Sequence, residues 1–123
     1  MAWGGSSSPS WFIKISKMEE KQYFFIKDKS AIIKINNSEV NSIEALGDYV
    51  QIYTKKKIYT THHTLGSVDE KLKENGFIRI HRSVILHFSN ILRVENNIIY
   101  TSEKAYPIGG NYINSIMEKL NIL

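Results

Sequence analysis

The chain lacks cysteine, long apolar runs and any familiar catalytic signature. Without cysteine, disulfide bonds, thiolate metal sites and cysteine nucleophiles are excluded. The apolar runs are far shorter than the roughly 20 residues that a membrane-spanning helix needs. The first residues show no charged segment followed by an apolar one, so we predict no secretory signal. We therefore expect a cytoplasmic protein that makes no membrane contact.

The four histidines do not have the spacing of a metal site. None of them forms an i, i+4 pair, and the adjacent His62 and His63 would point to opposite faces of an extended chain. Ser83 lies near His81 but has no orienting acid nearby in the sequence, and no nucleophile-elbow pattern is present. Gly109 and Gly110 lack the rest of a phosphate-loop fingerprint. We predict no metal, no cofactor and no enzymatic activity.

The composition is that of one ordinary globular domain. The 123 residues are 42% hydrophobic and 23% charged, which is enough for a single core. Lys and Arg total 16 against 12 for Asp and Glu, which gives a net charge of +4. This mild positive excess permits nucleic-acid binding without requiring it.

The N-terminal segment differs in composition from the rest of the chain. Residues 1–10 are rich in Gly, Ser and Pro and are interpreted as a linker or an expression scar. Residues 11–22 are a connector in which Trp11 to Ile15 alternates like a short strand. Residues 23–123 show short strand-like runs separated by turn signals, which predicts one mainly β domain.

Turn and helix signals divide this domain. Hairpin turns are predicted at Lys27–Ser30, at Lys55–Lys56 and at Asn96–Asn97. The last of these is favoured because Asn tolerates positive φ. A short helix with Leu65, Val68 and Leu72 on one face is predicted to begin at Thr64 or Ser67 and to end at Gly76. A second helix is predicted to open at Gly109–Gly110 and to carry Ile113, Ile116, Met117 and Leu120 on one face.

The segment from Phe77 to Leu86 is the most informative stretch. Its first half alternates like a strand that is buried on one face, although a bulge or register change is expected near His81. Arg79, His81, Arg82 and Ser83 can all donate hydrogen bonds to phosphates or base edges. Val84 to Leu86 follows as apolar core. Polar groups between two apolar halves are costly to bury, so we expect a functional loop here.

Three segments occur in an order that resembles the LytTR DNA-binding domain of bacterial response regulators. They are Ile43-Glu44-Ala45-Leu46-Gly47-Asp48-Tyr49-Val50, Phe77-Ile78-Arg79-Ile80-His81-Arg82-Ser83 and Pro107-Ile108-Gly109-Gly110-Asn111-Tyr112. The resemblance covers roughly Tyr23 to the C-terminus. It implies about ten antiparallel strands in stacked sheets, with a short mid-chain helix and a C-terminal helix. It also implies sequence-specific binding of double-stranded DNA by loops inserted into the major groove.

The resemblance further implies partners and contact residues. Members usually follow a phosphorylatable receiver domain and bind promoter direct repeats, so a second copy on an adjacent half-site is expected. Many members carry a basic residue at or beside the position of Gly110, where a contact would here come from backbone amides or Asn111. With the lysines of the hairpin tip added as phosphate contacts, the residues expected to bind DNA are Leu46, Gly47, Asp48, Tyr49, Lys55, Lys56, His81, Arg82, Ser83, Gly110 and Asn111.

Two other functions remain open from the sequence. The same loops would serve a protein-interaction module, and seven Tyr and five Phe would allow base stacking on a single-stranded nucleic acid. Most of these aromatics alternate within predicted strands, which favours a role in the core and sheet faces. Duplex preference and strong salt dependence would distinguish DNA binding from an interaction module.

Overall fold

The structure is a computed structural model that describes residues 21–123. A hairpin lies at the N-terminal end of this part of the chain. Strands β1 (Tyr23–Asp28) and β2 (Ala31–Asn36) pair antiparallel through all six positions. The turn is only Lys29 and Ser30, with Lys29 at φ 59°, so the predicted four-residue turn was too long. The linker and the Trp11–Ile15 strand predicted from sequence lie outside the described residues.

A five-stranded antiparallel sheet forms the centre of the domain. Its strands are β3 (Val40–Leu46), β4 (Tyr49–Thr54), β5 (Ile58–Thr61), β6 (Phe77–His81) and β7 (Val84–His87), arranged in the order β5-β4-β3-β7-β6. Hairpins join β3 to β4, β4 to β5 and β6 to β7, and the pairing of β3 with β7 joins the two halves. We call this the central sheet.

The Phe77–Leu86 segment is a hairpin, and the expectation that its first half is buried on one face only is wrong. β6 and β7 fold back on each other through a turn at Arg82 and Ser83, and the predicted irregularity is confirmed between Arg79 and His81. Both faces of β6 are covered, since Phe77 packs in one apolar cluster while Ile78 packs in another.

The third sheet follows β7. Strands β8 (Arg93–Glu95), β9 (Ile98–Tyr100) and β10 (Ala105–Pro107) pair in the order β10-β9-β8. The predicted Asn96–Asn97 turn is confirmed, with φ of 54° and 59°. The strand predicted to start at Asn90 starts only at Arg93, because residues 88–90 form a 3-10 turn.

Two short α-helices complete the described residues. Helix α1 (Leu65–Lys71) begins after Thr64, whose hydroxyl accepts a hydrogen bond of 3.1 Å from the Ser67 amide, so Thr64 is the cap rather than Ser67. Gly76 ends the segment at φ 82°, as predicted. Helix α2 (Ile113–Lys119) is preceded by a 3-10 turn at Gly110–Tyr112, where the sequence predicted the first α-helical turn.

Two apolar clusters lie on opposite faces of the central sheet. The first cluster packs the sheet against the β1–β2 hairpin and α1, and it contains Ile26, Ile35, Val40, Ile43, Val50, Ile52, Leu65, Val68, Leu72, Phe77 and Ile85. The second packs β6 and β7 against the third sheet and α2, and it contains Ile78, Ile80, Leu86, Ile99, Tyr106, Ile108 and Ile116. The β6–β7 hairpin therefore lies between the two clusters and contributes residues to both.

A buried polar network fixes the N-terminal hairpin to the central sheet. Asn75 donates from Nδ2 to the Tyr23 carbonyl at 2.9 Å and to Asn37 Oδ1 at 3.1 Å. Asn37 in turn donates to the Asn75 carbonyl at 3.1 Å, and His87 Nε2 lies 2.8 Å from the same oxygen. Since buried polar groups stabilise a fold only when they are paired, this network depends on every member.

We predict that Asn75→Ala destabilises the domain by about 1–3 kcal/mol, because it leaves the Tyr23 carbonyl and Asn37 without a buried donor. Chemical denaturation would measure the free energy of unfolding. Asn121→Ala, at an exposed position after α2, is the matched control. Equal stability of the Asn75→Ala variant and the wild type would show that the network contributes nothing net.

Candidate nucleic-acid interface

The three sequence segments singled out above meet at one end of the central sheet. The Ala45 amide donates to the Ser83 carbonyl at 2.9 Å, which places the β3–β4 turn beside the β6–β7 turn. The Gly109 amide donates to the Ile80 carbonyl at 2.9 Å, which brings the segment before α2 to the same place. We call this the loop end, defined by the turns at Gly47–Asp48, Arg82–Ser83 and Gly109–Asn111.

The β3–β4 turn projects apolar and polar side chains into solvent. Gly47 sits at φ 59°, a conformation that a side chain would strain. On either side of the turn, Leu46 is 55% exposed and Tyr49 is 49% exposed. Asp48 is also exposed. Two large apolar groups at a turn are therefore free to contact a partner.

The β6–β7 turn holds its polar groups by local hydrogen bonds. Ser83 Oγ lies 3.0 Å from His81 Nδ1, and the Ser83 amide donates to the same nitrogen at 3.3 Å. Nδ1 is therefore an acceptor, and both side chains serve to shape the turn. Arg82 is exposed and forms no ion pair within residues 21–123. Its guanidinium is therefore an exposed cation at this turn.

The third turn brings backbone close to β6. A Cβ at Gly109 would lie 3.0 Å from the Tyr112 ring and 3.5 Å from the His81 Cα, so only glycine fits without a shift. Gly110 has open space around it, and Asn111 is exposed. This turn therefore offers backbone amides and one amide side chain.

An open cleft between the turns adds groups that the sequence did not single out. It is lined by Gly47, Asp48, Tyr49, Arg79 and Arg82 together with residues 62–67. His62 packs edge-on against Tyr49, with ring centroids 5.2 Å apart. The signal for His62 and His63 lay in the topology, because β5 ends next to Val50 and delivers the following residues to the loop end.

Lys55 and Lys56 lie at the opposite end of β4. The six-residue strand β4 runs from Tyr49 to Thr54, so Lys55 lies roughly 20 Å from Tyr49 along the extended chain. The Lys55 amide donates to the Glu39 carbonyl at 3.0 Å, and Lys56 Nζ lies 3.4 Å from a Glu39 carboxylate oxygen. The structure thus brings nine of the eleven candidate residues together and leaves these two lysines apart.

Within residues 21–123, no three His, Cys, Asp or Glu side chains gather as metal ligands would. None of the helices formed by these residues has the length and apolar character of a membrane span. Neither helix offers a free apolar face either, since Leu65 and Val68 of α1 and Ile116 of α2 pack in the clusters. The loop end therefore consists of turns on a rigid β scaffold, an arrangement typical of binding domains.

Comparison with known proteins identifies the class of this domain. The family model described as LytTr DNA-binding domain matches residues 30–121. A solved LytTr DNA-binding domain of a response regulator from Bacillus cereus superimposes with a TM-score of 0.68 at 19% identity, over 83% of this chain and 99% of that one. The shared fold has ten antiparallel strands and two helices in the described residues.

Curated relatives are named as sensory transduction proteins. LytT of Bacillus cereus is 24% identical over 100 residues, which is 76% of this chain and 41% of that protein. LytT of Enterococcus faecalis is 30% identical over 79 residues, 59% of this chain and 33% of that protein. LytR of Staphylococcus haemolyticus is 28% identical over 96 residues, 78% of this chain and 34% of that protein. The chain spans well under half the length of these relatives.

The chain belongs to the LytTR family of DNA-binding domains. The fold and family implied by the sequence resemblance are thereby confirmed.

The Glu39 contacts lead to a pH prediction. A hydrogen bond from the Asn36 amide, followed by a hydrogen bond from Lys56 and the charge of that lysine, lowers the pKa of Glu39 below the ordinary value of 4.5. A lowered folded-state pKa means that the ionised carboxylate stabilises the fold above about 4.5, and that this contribution is lost as the pH falls through the folded-state value.

We predict that Glu39→Gln lowers the unfolding temperature at neutral pH and that the difference from wild type closes in acid. Thermal unfolding followed by circular dichroism over a pH series would measure this difference. Glu118→Gln removes an exposed carboxylate from α2 and is the control. A difference that persists unchanged in acid would contradict the assignment to the Glu39 charge.

Proposed function

We propose that the chain binds double-stranded DNA sequence-specifically by inserting the turns of the loop end into the major groove. The observation that carries this proposal is the convergence of three exposed turns on one end of the central sheet, with the exposed guanidinium of Arg82 among them. The family provides the DNA-binding class, and the geometry supports turns, rather than a helix, as the recognition elements.

Each group at the loop end has a specific chemistry to offer. The planar fork of Arg82 matches guanine O6 and N7 or a phosphate. Leu46 and Tyr49 supply apolar surface for a thymine methyl group, and Asp48 is able to accept from a cytosine amino group. Asn111 and the Gly110 amide are suited to a phosphate or an adenine edge. In this arrangement His81 and Ser83 shape the turn that presents Arg82.

We propose in addition that two copies occupy direct repeats and that a receiver domain in the native protein controls their pairing. A net charge of +4 allows only a few phosphate contacts, so one domain should bind modestly and gain from a linked second copy. The longer sensory transduction relatives support an upstream domain, and promoter binding implies action in the cytoplasm. Equal affinity of phosphorylated full-length protein for a half-site and a paired repeat would refute this pairing.

The decisive experiment is selection from a randomised duplex pool, with sequencing of the bound DNA and fluorescence anisotropy at two salt concentrations. Enrichment of a short direct repeat, with weaker binding at higher salt, is the expected result. Salt-sensitive binding without enrichment would refute sequence specificity. Absence of binding at low salt would refute the DNA proposal and direct attention to a protein partner.

We predict that Arg82→Ala weakens binding to the selected duplex by roughly 1–3 kcal/mol if Arg82 reads a base edge. The preference for the selected duplex over a duplex substituted at the contacted base should also fall. Fluorescence anisotropy would measure both affinities. Lys55→Ala is the charge-matched control, because Lys55 lies at the opposite end of the sheet. Equal losses in both variants would show that only net charge matters.

We predict that Gly110→Arg strengthens binding, because the position is open and faces the proposed groove. One added phosphate contact should steepen the dependence of log affinity on log salt by about 0.9. Ser38→Arg adds the same charge near Glu39, at the opposite end. An unchanged slope for Gly110→Arg would place this turn away from the DNA backbone.

A further inference from the structure

Arg79 makes contacts that the proposed function does not use. It lies on β6, and its guanidinium reaches forward along the strand to the β6–β7 turn. Nε donates to the His81 carbonyl at 3.3 Å, and Nη2 donates to the Arg82 carbonyl at 2.6 Å. One planar group thus holds two carbonyls of the turn that presents Arg82, at the point where the strand register shifts.

The same guanidinium reaches the other elements of the loop end. Its carbon lies 5.6 Å from the centroid of the Tyr112 ring, within the range of a cation–π contact. Nη1 lies 3.7 Å from where a Cβ of Gly66 would stand, which places it against the first turn of α1. Arg79 therefore contacts the β6–β7 turn, Tyr112 beside the third turn, and helix α1, which borders the cleft.

These contacts orient the guanidinium of Arg79 toward the protein. Two of its five N–H groups donate to main-chain carbonyls, and the group faces an aromatic ring. Lysine would retain the charge, but it lacks the flat fork that serves two carbonyls and a ring together. Arg79 differs in this respect from Arg82, whose side chain is exposed.

We propose that Arg79 is a positioning residue for DNA recognition, which sets the orientation of the Arg82 turn and its spacing from Tyr112 and the third turn. The inference rests on the proposed function, because it concerns how the loop end reads DNA. It assigns to Arg79 a part in base discrimination without direct contact with a base.

The test is a double-mutant cycle of Arg79→Lys and Arg82→Ala, measured by anisotropy on the selected duplex and on a duplex with the contacted base substituted. Arg79→Lys should weaken binding to the selected duplex about tenfold and reduce the preference between the two duplexes. The salt slope should stay at the wild-type value, since no phosphate contact is lost. Arg82→Ala should cost much less in the Arg79→Lys background than in the wild type.

Arg93→Lys is the matched control, because Arg93 also stacks on a tyrosine, 4.2 Å from the Tyr100 ring, at the end of β8 away from the Asn96–Asn97 turn. It should leave affinity and preference unchanged. Tyr112→Leu removes the ring that Arg79 faces and should lower the preference in the same sense. Thermal unfolding establishes whether each variant is folded. If Arg79→Lys is not folded, Tyr112→Leu provides the test of the positioning role.

The outcomes separate this inference from the proposed function. Additive losses of binding free energy in the double-mutant cycle would overturn the positioning role. Wild-type affinity and preference in Arg79→Lys would do the same. In both cases duplex binding by the wild type would stand. A shallower salt slope with preference retained would also overturn it, since Arg79 would then be a direct phosphate contact. Failure of the wild type to bind any duplex would overturn the proposed function itself.

Discussion

The pairing of β3 with β7 is the constraint on which the rest of the structure depends. The register Ile43 opposite Ile85 joins two hairpins into one sheet, and the Ala45 amide extends that pairing to Ser83. Without it, the Gly47–Asp48 turn would belong to the β3–β5 meander and the Arg82–Ser83 turn to a separate two-stranded hairpin, which is marginal alone. A single short ladder therefore determines whether the loop end exists. Its apolar residues, Ile43 and Ile85, are completely buried, which protects the ladder from water.

The proposed recognition by turns is consistent with the packing of the two helices. Both helices are only seven residues long, and the apolar face of each packs in a core cluster. The strands then hold the turns at fixed spacing, so little conformational entropy is lost when a partner binds. Gly47 at positive φ and Gly109 against His81 show that backbone shape is specified at the turns themselves.

Local features of the fold were predictable from the sequence because their signals are local. Asn96–Asn97, Gly76 and Thr64 mark a turn, a helix end and a helix cap through the chemistry of single residues. The β6–β7 hairpin was not foreseen, because Arg82–Ser83 lacks the Gly or Asn that usually marks a tight turn. The separation of Lys55 from the loop end follows from the length of β4, whereas the arrival of His62 there depends on the pairing of β5 with β4, which no local pattern encodes. The role of Arg79 depends on a contact with Tyr112 across about 30 residues of sequence.

The position of the β6–β7 hairpin between the two clusters has a consequence for how the domain folds. Hairpins form early because their contacts are local, whereas Ile43 and Ile85 are about 40 residues apart and must close a long loop. Neither cluster is complete until β6 and β7 stand between them. We therefore expect the last step of folding to assemble the two clusters and the loop end together. A partly folded chain would then lack the loop end, so the proposed binding to an operator would report only fully folded molecules.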